Sequence, residues 1–143
     1  MRLIIKIFAV LFSTLLILSC KDDIVQTDTV LIASTDRTTY NSGQVITVKV
    51  NNFTGKTVFI NQCGESLHPT VIRTDSSSSG GGSFTVVCRQ LTNYELKAGN
   101  SVTDTLSFLL PGRYKMKYHY DFENIMPELC REELFTNEFN IQQ

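Results

Sequence analysis

Gln44-Val45-Ile46-Thr47-Val48-Lys49-Val50-Asn51 alternates, placing Ile46, Val48 and Val50 on one side and Thr47 and Lys49 on the other. Successive side chains of an extended backbone point to opposite faces, so this stretch is a strand with one apolar side to bury. Turn residues bracket it, Asn41-Ser42-Gly43 before and Asn51-Asn52-Phe53-Thr54-Gly55 after. Glycine supplies the positive φ that a tight turn needs. The same signal recurs outward along the chain, at residues 30–35, 57–62, 69–74, 84–89, 101–109, 113–121 and 135–141. Leu110-Pro111-Gly112 makes a tight corner between the two longest of these. No segment after residue 30 keeps a helical period for more than about two turns. The expected fold is all-β, an antiparallel sandwich of seven to eight strands without crossover helices.

Two local patterns narrow the sandwich type. Ser34-Thr35-Asp36-Arg37-Thr38-Thr39-Tyr40-Asn41-Ser42-Gly43-Gln44-Val45 resembles the opening of many bacterial immunoglobulin-like and macroglobulin-like domains. Pro111-Gly112-Arg113-Tyr114 resembles the corner before a late strand of the same folds, where a tyrosine hydroxyl bonds back to the preceding loop. Met116 stands where an antibody-type domain has its second cysteine, and the chain has no Trp. The resemblance is therefore to the immunoglobulin-like sandwich class, over about residues 30–141. On the strand after the corner, Tyr114, Met116, Tyr118 and Tyr120 share one side and are expected in the core. Lys115, Lys117 and His119 are expected to form a solvated surface.

The N-terminus speaks about compartment. Arg2 and Lys6 precede the twelve-residue apolar run IFAVLFSTLLIL at residues 7–18. As a helix the run would reach ~18 Å, short of the ~30 Å hydrocarbon core and suited to a signal peptide. Ile17-Leu18-Ser19-Cys20 resembles the lipobox of bacterial lipoproteins. That resemblance implies removal of residues 1–19 and diacylation of Cys20, which becomes the mature N-terminus. Two or more acyl chains hold firmly where one binds only marginally. Lys21-Asp22-Asp23 resembles the short surface-export signal that follows the lipid cysteine in some Gram-negative bacteria. The expected organisation is a signal peptide at 1–19, a lipidated cysteine and tether at 20–29, and one sandwich domain at 30–143. The expected location is the outer membrane, facing the medium. Asp28-Thr29-Val30 and Asp104-Thr105-Leu106 resemble Asp-Thr-aliphatic sites that carry O-glycans on exported proteins of such bacteria. Thr29, in the tether, is the expected acceptor; Thr105 falls in a predicted strand.

Composition excludes several classes. Charged residues are 19% and hydrophobic residues 42% of the 143, so disorder is not expected. Without Arg2 and Lys6 the chain keeps 11 of its 13 Lys and Arg against 14 Asp and Glu. That balance argues against nucleic acid, which is bound by clustered Lys and Arg. Gly55-Lys56-Thr57 mimics the end of a phosphate loop, but Val50 stands where its first glycine belongs. No Gly-x-Ser-x-Gly elbow occurs, and His68 and His119 stand in no metal-ligand spacing. Neither catalysis, a metal nor a cofactor is expected.

Three cysteines remain in an oxidising compartment, so one disulfide is expected, with three pairings open. Cys63–Cys88 is favoured, because Cys63 ends a strand and a hairpin brings Cys88 back to it. Cys130 is left as a free thiol, buried or reactive, with Glu128, Glu132 and Glu133 disfavouring a thiolate. Residues 76–83 (SSSSGGGS) read as a hairpin tip that cannot pack. Residues 122–134 (FENIMPELCREEL) form the longest connection, with Pro127 in the first turn of a short helix. Two roles stay open for it. Ile125, Met126 and Leu129 cover one end of the core, or Ile125, Met126, Glu128 and Leu129 face a partner.

The function these features point to is a membrane-anchored surface module that binds or spaces, with a protein or glycan as partner and the oligomeric state open. The alternative is an envelope protease inhibitor or chaperone-like accessory acting through a loop or strand edge. It rests on a resemblance of the Gly43-Gln44-Val45 strand and the Pro111-Gly112-Arg113-Tyr114 corner to a bacterial proteinase-inhibitor family.

Overall fold

The computed structural model describes residues 30–75, 82–85, 87–108, 110–129 and 132–143. The signal peptide, Cys20, Lys21, Asp22, Asp23, Thr29, Cys130 and most of the Ser/Gly tip lie outside the described residues. The chain is all-β, as expected, and forms two sheets. The smaller sheet has the order β1-β3-β9, from Leu31–Thr35, Val45–Asn52 and Ser101–Ser107. The larger sheet has nine strands. They are β2 (Thr39–Asn41), β4 (Val58–Cys63), β5 (Ser66–Leu67), β6 (Thr70–Arg73), β7 (Ser83–Thr85), β8 (Leu91–Leu96), β10 (Gly112–Asp121), β11 (Glu132–Phe135) and β12 (Phe139–Gln142). One 3-10 turn, Pro127–Leu129, interrupts the last connection.

The ten-residue strand β10 is the spine of the larger sheet. Tyr114 is paired with Phe139 of β12 on one edge and with Arg73 of β6 on the other. Further along, Tyr120 is paired with Glu132 of β11 and Ile60 of β4. Two short strands thus follow one another along each edge of one long one. β4 carries β8 on its outer edge through six paired residues, Val58↔Leu96 to Cys63↔Leu91. β2 runs parallel to β12.

The core lies where the alternation placed it. Ile46, Val48 and Val50 of β3 are fully buried, against Val58 and Ile60 of β4 and Met116 and Tyr118 of β10. Tyr114 stacks on Phe139 and on Phe108, at centroid distances of 6.1 Å each. Its hydroxyl donates to the Leu110 carbonyl at 3.1 Å, closing the corner that the Pro-Gly-x-Tyr pattern anticipated. Gly112 suits the corner: its φ of 153° is one that L side chains rarely adopt, and a Cβ would stand a tight 3.1 Å from both the Arg73 guanidinium and the Tyr114 hydroxyl.

Asn52 continues the inward alternation of β3 and is fully buried. Its amide donates to the Leu96 and Lys56 carbonyls at 2.8 and 2.7 Å, while Oδ1 accepts from Thr54 N and Oγ1 at 3.0 and 2.7 Å. Every polar atom of this buried side chain is satisfied, so it locks the turn instead of weakening the core.

Several expected elements differ. The strand expected at 84–89 reaches only Thr85 among the described residues, and Cys88 lies outside any strand. The strand expected at 135–141 is two, β11 and β12. At the break, Thr136 turns inward and its Oγ1 accepts the Met116 N–H at 3.0 Å, while Asn137 bonds Thr35 of β1. β2, β5 and β8 had no counterpart among the expected strands. Lys115, Lys117 and His119 are half-buried, not simply solvated, because β11 lies beside them. Lys115 Nζ sits 4.7 Å from the Phe135 ring centroid and Lys117 Nζ bonds Glu133 at 2.9 Å.

Candidate functional site

Two places among the described residues were candidates from sequence, a third carried only the fold resemblance, and the structure adds a fourth. The first is the disulfide. Cys63 and Cys88 are bonded, with Cα atoms 5.9 Å apart, which is the favoured pairing. The bridge ties the end of β4 to the stretch between β7 and β8. Beside it lies a hollow of about 510 Å³ lined by Gly64, Val87, Arg89, Gln90 and Thr92. None of its lining residues carries a buried polar atom without a partner.

The second is the long connection. Asn93 of β8 donates through Nδ2 to Asn124 Oδ1 and to the Ile125 carbonyl, and Asn61 of β4 donates to the Pro127 carbonyl at 3.1 Å. These two asparagines face each other across the β4–β8 pair, so one rung of the sheet clamps the loop. Ile125 is half-buried, whereas Met126 is 66% and Leu129 53% exposed. The core-covering role therefore fails for Met126 and Leu129: the backbone, not their side chains, is held down. Glu128 is exposed as well.

The third is the Thr-Asp-x-x-x-Tyr pattern. The Tyr40 hydroxyl donates to Asp36 Oδ1 at 2.6 Å and receives the Arg37 N–H at 2.9 Å; Asp36 Oδ1 also accepts the Thr47 N–H at 3.0 Å. The Tyr40 bond, foremost, holds the Asp36 carboxyl below the usual carboxylate range. This is a structural corner that fastens β2 to β3.

The fourth is a cleft of about 360 Å³ along β9. One wall is Cys63, Ser66, Leu67, His68 and Pro69 from the β4–β5 hairpin and its exit; the other is residues 104–108. Both alternating sets of β9 side chains line it, inward Asp104 and Leu106 and outward Thr105 and Ser107, so it follows the strand's edge. That edge ends the small sheet, since among the described residues β9 pairs only with β3. Leu67 and Pro69 are buried, and Leu106 and Phe108 half-buried.

Asp104 is the unusual member. It occupies an inward position between Val102 and Leu106, is 7% exposed, and is paired with fully buried Val48. Its carboxylate takes the Thr105 backbone N–H, but Oδ2 has no hydrogen-bond partner. Burial, the dominant effect, pushes its carboxyl above the usual range. The Tyr118 phenol is pushed up by burial and then by the Asp104 charge. Its hydroxyl is turned to Met116 Sδ at 3.7 Å. Sequence reading met Asp104 only as the first residue of an Asp-Thr-aliphatic triplet. The missed signal was an acid on the apolar side of an alternating strand. Thr105 itself is exposed.

No family model matches the chain, and no curated protein matches it. Among solved structures it is similar to a superoxide reductase (neelaredoxin) from Ignicoccus hospitalis, at 10% identity and TM-score 0.43 over 78% of this chain and 80% of that one. It is similar to the Pseudomonas fluorescens alkylpurine DNA glycosylase AlkC bound to abasic-site DNA, at 12% identity and TM-score 0.43 over 79% of this chain and 30% of that one. A PapD-like domain of human CEP192 aligns at 13% identity and TM-score 0.30 over 76% and 81%. None of these carries an activity to this chain.

Proposed function

We propose that the chain is a membrane-anchored envelope lipoprotein whose immunoglobulin-like sandwich, residues 30–143, is a non-enzymatic binding module. The single observation that carries the binding part is the β9 cleft with Asp104 in its wall, one carboxylate oxygen of which has no hydrogen-bond partner. A buried charge without a partner costs stability, and a cleft wall is where such a group serves a ligand. The immunoglobulin-like assignment is supported by the β8-β4-β10-β12 path of the large sheet and by the short β2 running parallel to β12. The anchor is supported by Ile17-Leu18-Ser19-Cys20, and outward display by Lys21-Asp22-Asp23.

Two measurements test this reading. Cells fed labelled palmitate should label the protein, and Cys20→Ala should abolish labelling; label persisting in the variant rejects the lipobox. Protease added to intact cells should shave the native protein and spare the Lys21-Asp22-Asp23→Ala-Ala-Ala variant. Protection of both until the outer membrane is opened moves the module to the periplasmic side.

The clamped connection favours a second reading, an envelope inhibitor or accessory. Asn61 and Asn93 hold its backbone while Met126 and Leu129 project, an arrangement suited to presenting two apolar side chains to a partner. Paired Met126→Ser and Leu129→Ser changes should then abolish inhibition of an envelope protease; unchanged inhibition removes the loop from consideration.

A further inference from the structure

The β9 cleft also indicates what chemistry would fill it, an inference that rests on the binding-module reading above. Its dimensions and lining divide into two parts. Leu67, Pro69, Leu106 and Phe108 give it apolar surface, and Asp104 lines the wall with a carboxylate whose Oδ2 is closed off from solvent and has no hydrogen-bond partner. The three ion pairs among the described residues join Asp36, Asp75 and Glu133 to their cations and leave Asp104 out. At about 360 Å³ the cleft falls at the small end of ligand pockets, the size of a single side chain or a small molecule.

We propose that the cleft receives an organic cation, an alkylammonium or guanidinium group bound by Asp104 with its apolar stem against Leu67, Leu106 and Phe108. A buried carboxylate is stabilised by a charge-bearing donor far more than by a neutral one, and in a partly dry site the preference is strong. An anionic ligand is excluded by the same charge. The stem is favoured because Leu67, Leu106 and Phe108 give the cleft an apolar side, beside the polar Ser66, Thr105 and Ser107. The source of the cation is a free amine or the basic side chain of an extended polypeptide. The second would add main-chain bonds along the open edge of β9, the end strand of its sheet.

The test uses the full-length chain in detergent micelles, observed by amide NMR during titration with n-butylammonium, butan-1-ol and butyrate. Butylammonium is expected to move the amides of Leu67, Leu106 and Phe108 and to bind at least about tenfold more tightly than butan-1-ol, with butyrate weakest. Asp104→Asn, nearly the same in shape, is expected to keep butan-1-ol binding and erase the cation's advantage. Equal binding of cation and alcohol, or a preference that survives in Asp104→Asn, overturns the proposal while leaving a binding cleft. No response to any of the three probes overturns both the cation and the cleft as the binding site. A blocked Thr-Lys-Thr peptide separates the sources. Tighter binding than butylammonium, with slowed exchange of β9 amides, assigns a polypeptide; equal binding with no change in exchange assigns a free amine.

Discussion

Asp36 follows β1 and Asp104 lies in β9, two strands of the smaller sheet, and their surroundings treat them in opposite ways. Asp36 receives a tyrosine hydroxyl and a backbone N–H, and its carboxyl is held low, chiefly by the Tyr40 bond. Asp104 is more deeply buried, has an oxygen without a partner, and its carboxyl is pushed up by burial. A satisfied carboxylate fastens a corner. An unsatisfied one weakens the strand that carries it. The same residue type thus marks a structural joint in one place and a candidate ligand contact in the other.

The largest effect that sharpens this contrast is on the cleft wall. Replacing Cys63 and Cys88 by Ser should lower the unfolding free energy by about 3.5 kcal/mol in the chain-entropy account of a 25-residue loop. Denaturant melts measure the loss, and amide shifts should spread through Leu67 and His68 but not into the Asp36 corner. Equal shifts at Asp36 would show that the two regions are not independent.

Asp36→Ala should lower stability by about 1.5 kcal/mol, the low end for bonds to a charged acceptor because the side chain is 39% exposed. Asp104→Asn should have the opposite sign and raise stability by about 1 kcal/mol at pH 7, because it removes a buried charge. If both substitutions destabilise, the contrast is broken and Asp104 has a partner after all.

The smallest effects are in pH dependence. Asp36, with its folded pKa lowered, contributes stability above the unfolded value near 3.8 and loses it as pH falls through the folded value. Asp104, with its folded pKa raised, contributes in acid and loses that contribution as pH rises from about 3.8 through its higher folded value. Thermal melts from pH 3 to 7 should therefore show the gain from Asp104→Asn growing with pH and vanishing in acid. A gain that is flat with pH would assign it to packing instead of charge.

Much of the architecture was legible because β3 and β10 are long and half-buried, so burial wrote a period of two into their residues. β8 was not legible. Leu91-Thr92-Asn93-Tyr94-Glu95-Leu96 has no clean apolar side, and pairing with β4 makes it a strand. β5, only two residues long, leaves no pattern to read. The stretch at 135–141 looked continuous because Thr136 and Asn137 are acceptable strand residues; long-range bonds to Met116 and Thr35 break it. The disulfide pairing was legible, although Cys88 reaches Cys63 from outside any strand. Of the site, the connection at 122–134 was legible as a segment, but the asparagine clamp that holds it is a tertiary contact. Asp104 was visible in principle, since its neighbours at 102 and 106 are both aliphatic.

The arrangement around β10 has a consequence for the order of assembly. Four other strands hang directly on residues 112–121, and two of them, β4 and β6, lie far earlier in the chain. As the polypeptide emerges from its N-terminal end, these earlier strands have no spine to join until β10 arrives. Loop closure over such separations is slow. The large sheet therefore closes late: the β4–β5, β4–β8 and β6–β7 pairs and the whole β1-β3-β9 sheet need only residues before 108, and β10 then joins β4 and β6 to β11 and β12.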